Sequence, residues 1–335
     1  MLRLPKTDHV FPSTVKEACS LLEQSRGGAK VLAGGTDLLV ACKLRNIKPT
    51  LLVSLKKIPE LRGITHQEDV GVIIEAMTHL NEIRYNPYVM KYYPALSQAA
   101  ATVGTPQLRE MGTIGGNLCL DTRCIYYNQS DSWRKSRGVC FKMGGDLCHV
   151  DPKGKKCYAT FSGDMAPALI ALNAKAKLIS CSGERVMPVE DLYSGKGKEP
   201  LSLGTDEVLT EIIVPPPMQR QTSAYLKYRM RKAICFPLVG VGVSVRLEPD
   251  GSFADCRVVL TGVGPQPIVV FIPHSLLERK TLTQEFVDLL AEKATHSGSP
   301  VANTSGSTPA YRRRMAGMLT RRALLAIAKE LGIIQ

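Results

Sequence analysis

Apolar residues in this chain come in short runs that glycines, prolines and charged positions repeatedly break, which predicts alternating strands and helices. Pro12-Ser13-Thr14 followed by Glu17 predicts a helix start with a capping box, running to about Gln24. Residues 30–33 form a short strand, 34–37 a turn, 38–44 a helix and 50–55 a second buried strand. Farther on, 70–77 is apolar and rich in β formers, and 81–103 reads as helix interrupted at Pro87 and Pro94. A helix over 164–172 precedes strands at 176–180 and 208–214, and the triplet Pro215-Pro216-Pro217 reads as a linker. Beyond it, 227–231 and 239–247 are strands, and Pro249-Asp250-Gly251 turns the chain into another at 254–261. Helices over 283–294 and 310–331 flank a polar loop at 297–307. The elements group into three units: 1–60, 61–217 and 223–335.

Two glycine-bearing turns stand out against this framework. Val31-Leu32-Ala33-Gly34-Gly35-Thr36-Asp37 is strand, double glycine and helix start, an arrangement that lets backbone N–H groups approach a phosphate. It is neither a Walker A loop nor GxGxxG, and a tight turn needing glycine for steric reasons accounts for it equally well. Thr113-Ile114-Gly115-Gly116-Asn117 is the second turn, from another unit. Two separated glycine turns suit a ligand with a diphosphate and two ends, although paired glycines also mark close packing.

Five of the ten cysteines, Cys119, Cys124, Cys140, Cys148 and Cys157, follow the second turn. No pair among them has CxxC spacing, and MLRLPKTDHVFPST lacks the apolar core of a secretory signal, so reduced thiols in a cytoplasmic chain are expected. Dense thiols there point to a metal or redox centre. From spacing alone an iron–sulfur cluster and a tetrahedral zinc site with His149 remain equivalent. Cys19, Cys42, Cys181, Cys235 and Cys256 are isolated and read as buried and inert.

The 335 residues carry 43 Lys and Arg against 30 Asp and Glu. Eight basic and four acidic residues lie between Asp121 and Cys157, and the C-terminal run from Pro309 includes Arg312, Arg313 and Arg314. Such charge suits nucleic acid, an acidic protein or an anionic ligand, or merely a solvated face. No apolar run approaches the roughly 20 residues that cross a bilayer. The six histidines are scattered and form no triad, so no catalytic acid, base or nucleophile is assigned.

The ordered set VLAGGTDLL (31–39), TIGGN (113–117), SGDMAPALIAL (162–172), EVLTEIIVP (207–215), FPLVGVGV (236–243) and GVGPQP (262–267) resembles the FAD-binding medium subunits of molybdenum hydroxylases, related to xanthine dehydrogenase and carbon monoxide dehydrogenase. That resemblance implies an α+β fold: a two-subdomain FAD-binding domain of the PCMH (vanillyl-alcohol-oxidase-like) type, then a smaller α/β C-terminal domain like that of the CO dehydrogenase flavoprotein. It implies that Val31, Leu32, Ala33, Gly34, Gly35, Thr36 and Asp37 hold the diphosphate, with Thr113, Ile114, Gly115, Gly116 and Asn117 opposite. Asp164 would meet the ribityl or ribose hydroxyls unless it merely caps a helix. Leu209 would contact the flavin, and Lys227 would sit near the isoalloxazine unless it is an ordinary exposed strand residue.

The cysteine stretch departs from the common pattern of that family. About forty residues, roughly 120–160, stand where most members have a shorter loop. The insertion resembles one in the 4-hydroxybenzoyl-CoA reductase β-subunit branch, which implies a [4Fe–4S] cluster on Cys124, Cys140, Cys148 and Cys157, with Cys119 packed under the FAD site. Implied partners are a large molybdopterin subunit and a small subunit with two [2Fe–2S] clusters, as a dimer of heterotrimers, with ferredoxin as donor in anaerobic aromatic degradation. Electrons would run from ferredoxin through the cluster and FAD to the small subunit and molybdenum, for reductive dehydroxylation. The basic insertion, Arg134, Lys135 and Arg137 included, would then meet acidic ferredoxin. Other readings are an FAD subunit for purines or other heterocycles, a zinc-bearing nucleic-acid-binding protein and a stand-alone flavin oxidase. Aromatics at 6% of the chain give little support to base stacking.

Overall fold

A computed structural model describes residues 3–232, 234–278, 280–302 and 307–333. Strands β1 (Asp8–Val10), β2 (Ala29–Leu32) and β3 (Leu51–Ser54) form a parallel sheet in the order β1-β3-β2, with α1 (Val15–Gln24) and α2 (Leu38–Lys43) as crossovers. The Thr14 hydroxyl accepts the Glu17 N–H at 3.2 Å, while the Glu17 carboxylate accepts the N–H of Ser13 at 2.7 Å. The expected capping box is therefore present but reaches back one residue further. Val15, Ala18, Cys19 and Leu22, spaced as one helix face, bury α1 against Val53 and Leu55.

The second unit joins β4 (Ile64–Gln67), β5 (Gly71–Glu75), β6 (Lys175–Ser180), β7 (Gly183–Pro188) and β8 (Val208–Val214) in an antiparallel sheet ordered β4-β5-β8-β6-β7. Between β5 and β6 run α3 (Leu80–Tyr85), α4 (Pro87–Tyr92), α5 (Pro94–Thr102), α6 (Pro106–Arg109), α7 (Ile114–Leu118), α8 (Asp131–Arg137) and α9 (Met165–Ala171). Each proline opens a helix, where its missing N–H costs nothing, so the interrupted pattern at 81–103 becomes three helices. Every residue of α9 is buried, and this helix is the centre of the largest core.

The third sheet, ordered β12-β11-β10-β9, contains β9 (Gln221–Tyr228), β10 (Val239–Leu247), β11 (Phe253–Thr261) and β12 (Ile268–Val269). It is followed by α10 (His274–Leu277), α11 (Gln284–Ser297) and α12 (Pro309–Glu330). The period of two is explicit in β10. Val239, Val241, Val243 and Val245 face α11 and α12, sharing a core with Phe286, Leu290, Leu324 and Ile327. Gly242 points the other way: a Cβ there would stand 2.5 Å from the Pro167 carbonyl oxygen. The sheet thus lies directly on the backbone of α9 and closes over the second unit.

Some expectations are corrected. The strand expected at 227–231 ends at Tyr228, where pairing with β10 stops at Val239. Edge strands β4 and β7 are mostly exposed and lack the apolar alternation that would have announced them. The proline triplet is no free spacer, because the Tyr93 hydroxyl donates to the Pro215 carbonyl at 2.7 Å. Residues 303–306 of the expected polar loop lie outside the described residues. Among the described residues no helix is long and apolar enough to cross a membrane.

Candidate functional site

The two glycine turns meet. A Cβ on Gly34 would lie 1.9 Å from the Met111 carbonyl oxygen, and Gly35 sits at φ +72°, a conformation glycine adopts freely. Among the described residues no acceptor faces the N–H groups of Gly34, Gly35, Thr36 or Asp37. Four successive N–H groups before α2 are thus left without an intramolecular partner, and their chemistry fits a diphosphate. The second turn is built differently. Ile114 and Gly115 donate to the Thr78 and Ala76 carbonyls at 3.0 and 2.9 Å, and Gly116 donates to the Thr113 hydroxyl at 3.1 Å. Its glycines serve close packing, since a Cβ on Gly115 would come within 2.8 Å of Ala76.

Asp164 and Lys227 are brought together, although 63 residues separate them. Lys227 Nζ donates to Asp164 Oδ2 at 2.9 Å and to the Thr102 carbonyl at 3.0 Å. The Tyr225 hydroxyl donates to Asp164 Oδ1 at 2.6 Å. Lys227 is no exposed strand residue; its side chain is 1% exposed. Nor does Asp164 cap α9 through its side chain, because the Asn117 carboxamide oxygen accepts the Met165 N–H at 3.1 Å instead. Burial and the adjacent Asp164 carboxylate push the Tyr225 phenol well above its ordinary range. Leu209 is buried on β8 in the same core.

Cys124, Cys140, Cys148 and Cys157 line one small cavity, with Tyr126 and His149 beside them. The excursion carrying them is pinched at its neck, where Arg123 and Thr160 exchange backbone hydrogen bonds at 2.7 and 2.9 Å. That pairing places Cys124 and Cys157 near the same end. Burial raises the Cys124 thiol, with Cys157 and Cys140 adding to it and the N–H groups of Tyr126 and Tyr127 opposing. Burial likewise raises Cys157, where the N–H of Ala159 and the Lys142 ammonium oppose it.

The sequence profile described as the FAD binding domain in molybdopterin dehydrogenase matches residues 5–217, and that of the CO dehydrogenase flavoprotein C-terminal domain matches 224–327. The chain belongs to the FAD-binding subunits of the molybdopterin dehydrogenases. It is similar to the carbon monoxide dehydrogenase medium chain of Hydrogenophaga pseudoflava, 32% identical over 96% of this chain and 97% of that one. The nicotinate dehydrogenase FAD-subunit of Eubacterium barkeri is 30% identical over 72% of this chain and 69% of the relative. A solved carbon monoxide dehydrogenase from Hydrogenophaga pseudoflava, lacking the Mo-pyranopterin moiety, superimposes with a TM-score of 0.79 at 29% identity, covering 98% and 99% of the two chains. The protein is thus an oxidoreductase subunit with an FAD-binding domain.

In this molybdopterin dehydrogenase subunit several residues that carry the site have no motif to announce them. Arg134, expected among the docking cations, is 2% exposed. It donates to the Leu44 and Arg45 carbonyls at 3.1 and 3.0 Å and to the Gln129 carbonyl, tying the excursion to the C-terminus of α2. Lys142 is similarly enclosed, bonding Asp121, the Thr122 hydroxyl and the Gly197 carbonyl at 2.7–2.8 Å. A zinc set with His149 is not assembled: among the described residues no three His, Cys, Asp or Glu side chains converge on one ion, and His149 instead bonds the Gly138 carbonyl at 3.0 Å. Cys19, Cys42 and Cys256 are buried as expected, whereas Cys181 is exposed in the turn after β6 and Cys235 is half-buried between β9 and β10. Cys119 packs against the large core, its thiol pushed up to about 12 by burial. Arg312 in the basic C-terminal run is fully buried and donates to the Gly262 carbonyl at 3.0 Å.

Proposed function

We propose that the chain is the FAD- and [4Fe–4S]-carrying electron-transfer subunit of a molybdenum enzyme of the 4-hydroxybenzoyl-CoA reductase type, with substrate chemistry on a partner. The observation that carries this reading is the gathering of Cys124, Cys140, Cys148 and Cys157 round one cavity. Neither matched profile describes a cluster on this subunit, so the cluster rests on these thiols. The donor set fits it in kind: four free cysteines line one cavity, and thiolates are what such a cluster takes. FAD would supply exchange between one-electron and two-electron carriers.

In this reading Val31, Leu32 and Ala33 deliver the loop, and the N–H groups of Gly34, Gly35, Thr36 and Asp37 hold the diphosphate. Thr113 and Asn117 face it, while Ile114, Gly115 and Gly116 keep the approach close. Asp164 meets the ribityl chain through lone pairs that Tyr225 and Lys227 leave free, since a carboxylate accepts about four hydrogen bonds. Leu209 packs against the flavin, and Lys227 lends the junction its positive charge. The subunit would relay electrons from an acidic carrier such as ferredoxin to a small [2Fe–2S] subunit and a large molybdopterin subunit. Lys153, Lys155, Lys156, Lys196 and Lys198 are exposed, and the segments that carry them are brought side by side where Gly197 packs on the backbone of Cys157 and Ala159. These lysines replace Arg134 as the docking charges.

The relatives named for carbon monoxide and nicotinate favour a second reading, an FAD subunit of a hydroxylase. Anaerobic purification with iron, sulfide, zinc and flavin analysis separates the two. One FAD with about four irons and four sulfides, the iron lost and the flavin kept in Cys140→Ser, supports the first. FAD without iron leaves the second.

A further inference from the structure

Arg123 lies outside every motif, yet three parts of the molecule meet on it. Its guanidinium donates to the Asp37 carboxylate at 3.0 Å and lies 4.4 Å from the centre of the Phe236 ring, in the loop between β9 and β10. Its backbone closes the neck of the cysteine excursion with Thr160, and Cys124 follows it in the chain. Asp37 stands at the start of α2 but caps nothing with its side chain, which is turned to Arg123. Burial raises the Asp37 carboxyl and Arg123 opposes that.

We propose that Arg123 is a positioning residue that couples the two cofactor sites. This rests on reading residues 34–37 as the FAD cradle and the four cysteines as the cluster site. A bare carboxylate beside a cradle of N–H groups repels a diphosphate; the guanidinium cancels that repulsion and lets the ligand settle. The same contact holds the neck beside Cys124, so a ligand that steadies the Asp37 loop steadies the excursion. By linkage the effect runs both ways.

The test uses the full chain as wild type, Arg123→Gln and Arg123→Gln/Asp37→Asn. FAD affinity is read by flavin fluorescence, and alkylation of each cysteine in the metal-free chain is followed by mass spectrometry with and without FAD. Arg123→Gln weakens FAD binding about tenfold, and adding Asp37→Asn recovers most of it, because the harm comes from an uncompensated charge. FAD slows alkylation of Cys124 in the wild type and loses that effect in Arg123→Gln, while exposed Cys181 reacts alike throughout. Unchanged affinity in Arg123→Gln, or a double variant as weak as the single, overturns the charge argument. Protection of Cys124 that persists in Arg123→Gln overturns the coupling. Iron analysis is independent of both readouts, so a chain that binds FAD but no iron removes the cluster while leaving this test intact.

Discussion

Replacing Lys227 by Met tests the junction between the third sheet and the second unit. The methionine keeps the stem and removes the ammonium that serves Asp164 at 2.9 Å and the Thr102 carbonyl at 3.0 Å. The carboxylate, 4% exposed, is then left with the Tyr225 hydroxyl as its donor. Stranding one partner of a buried ion pair costs about 3–5 kcal/mol, and the orphaned carbonyl adds about 1 kcal/mol. At about 2–4 °C per kcal/mol for large domains, the melting temperature falls by roughly 10 °C or more. Thermal unfolding followed by circular dichroism reads this directly. Lys227→Met/Asp164→Asn, which removes both charges and keeps an acceptor for Tyr225, recovers about 2 kcal/mol or more relative to the sum of the single variants. A drop of under about 3 °C in Lys227→Met, or strict additivity of the two changes, refutes the reading of a buried, mutually compensating pair.

Three further outcomes follow from the geometry. Gly34→Ala forces a Cβ to within 1.9 Å of the Met111 carbonyl oxygen, so the two glycine turns separate and FAD retention after gel filtration is lost. Glu75 faces Glu211 across β5 and β8, and burial reinforced by that carboxylate lifts its pKa to about 7. The folded state therefore keeps a proton that the unfolded chain releases above about 4.5, and stability falls as pH rises from there to about 7. Allowing for solvent screening, Glu75→Gln gains about 1 kcal/mol at pH 8 and nothing near pH 4.5, measured by urea denaturation at both. Arg134→Leu strands the Leu44, Arg45 and Gln129 carbonyls, so about 3 kcal/mol is lost locally and hydrogen exchange quickens at 38–46 and 124–137.

Local patterning along the chain was sufficient for much of this molecule. The period of two in 239–247, the prolines at helix starts and the Ser13–Glu17 cap each report a short-range preference that survives in the fold. The glycine turns were legible as well, and at Gly34 the reason is steric: any Cβ there would run into the Met111 carbonyl oxygen, and only glycine lacks one. That one of them keeps its N–H groups free while the other spends them on Ala76 and Thr78 was not legible. Hydrogen bonds across 35 or more residues leave no local trace. Arginine and lysine positions were read least well. A charged residue in a basic stretch looks solvent-facing, yet Arg134, Lys142, Lys227 and Arg312 are enclosed and donate to carbonyls and carboxylates from distant segments. Sequence alone determined which residue types and backbone freedoms were available, since these are properties of neighbours in the chain. Only the tertiary structure decided which charges are buried in pairs and which thiols share a cavity, because those outcomes depend on groups that meet only when separate elements pack.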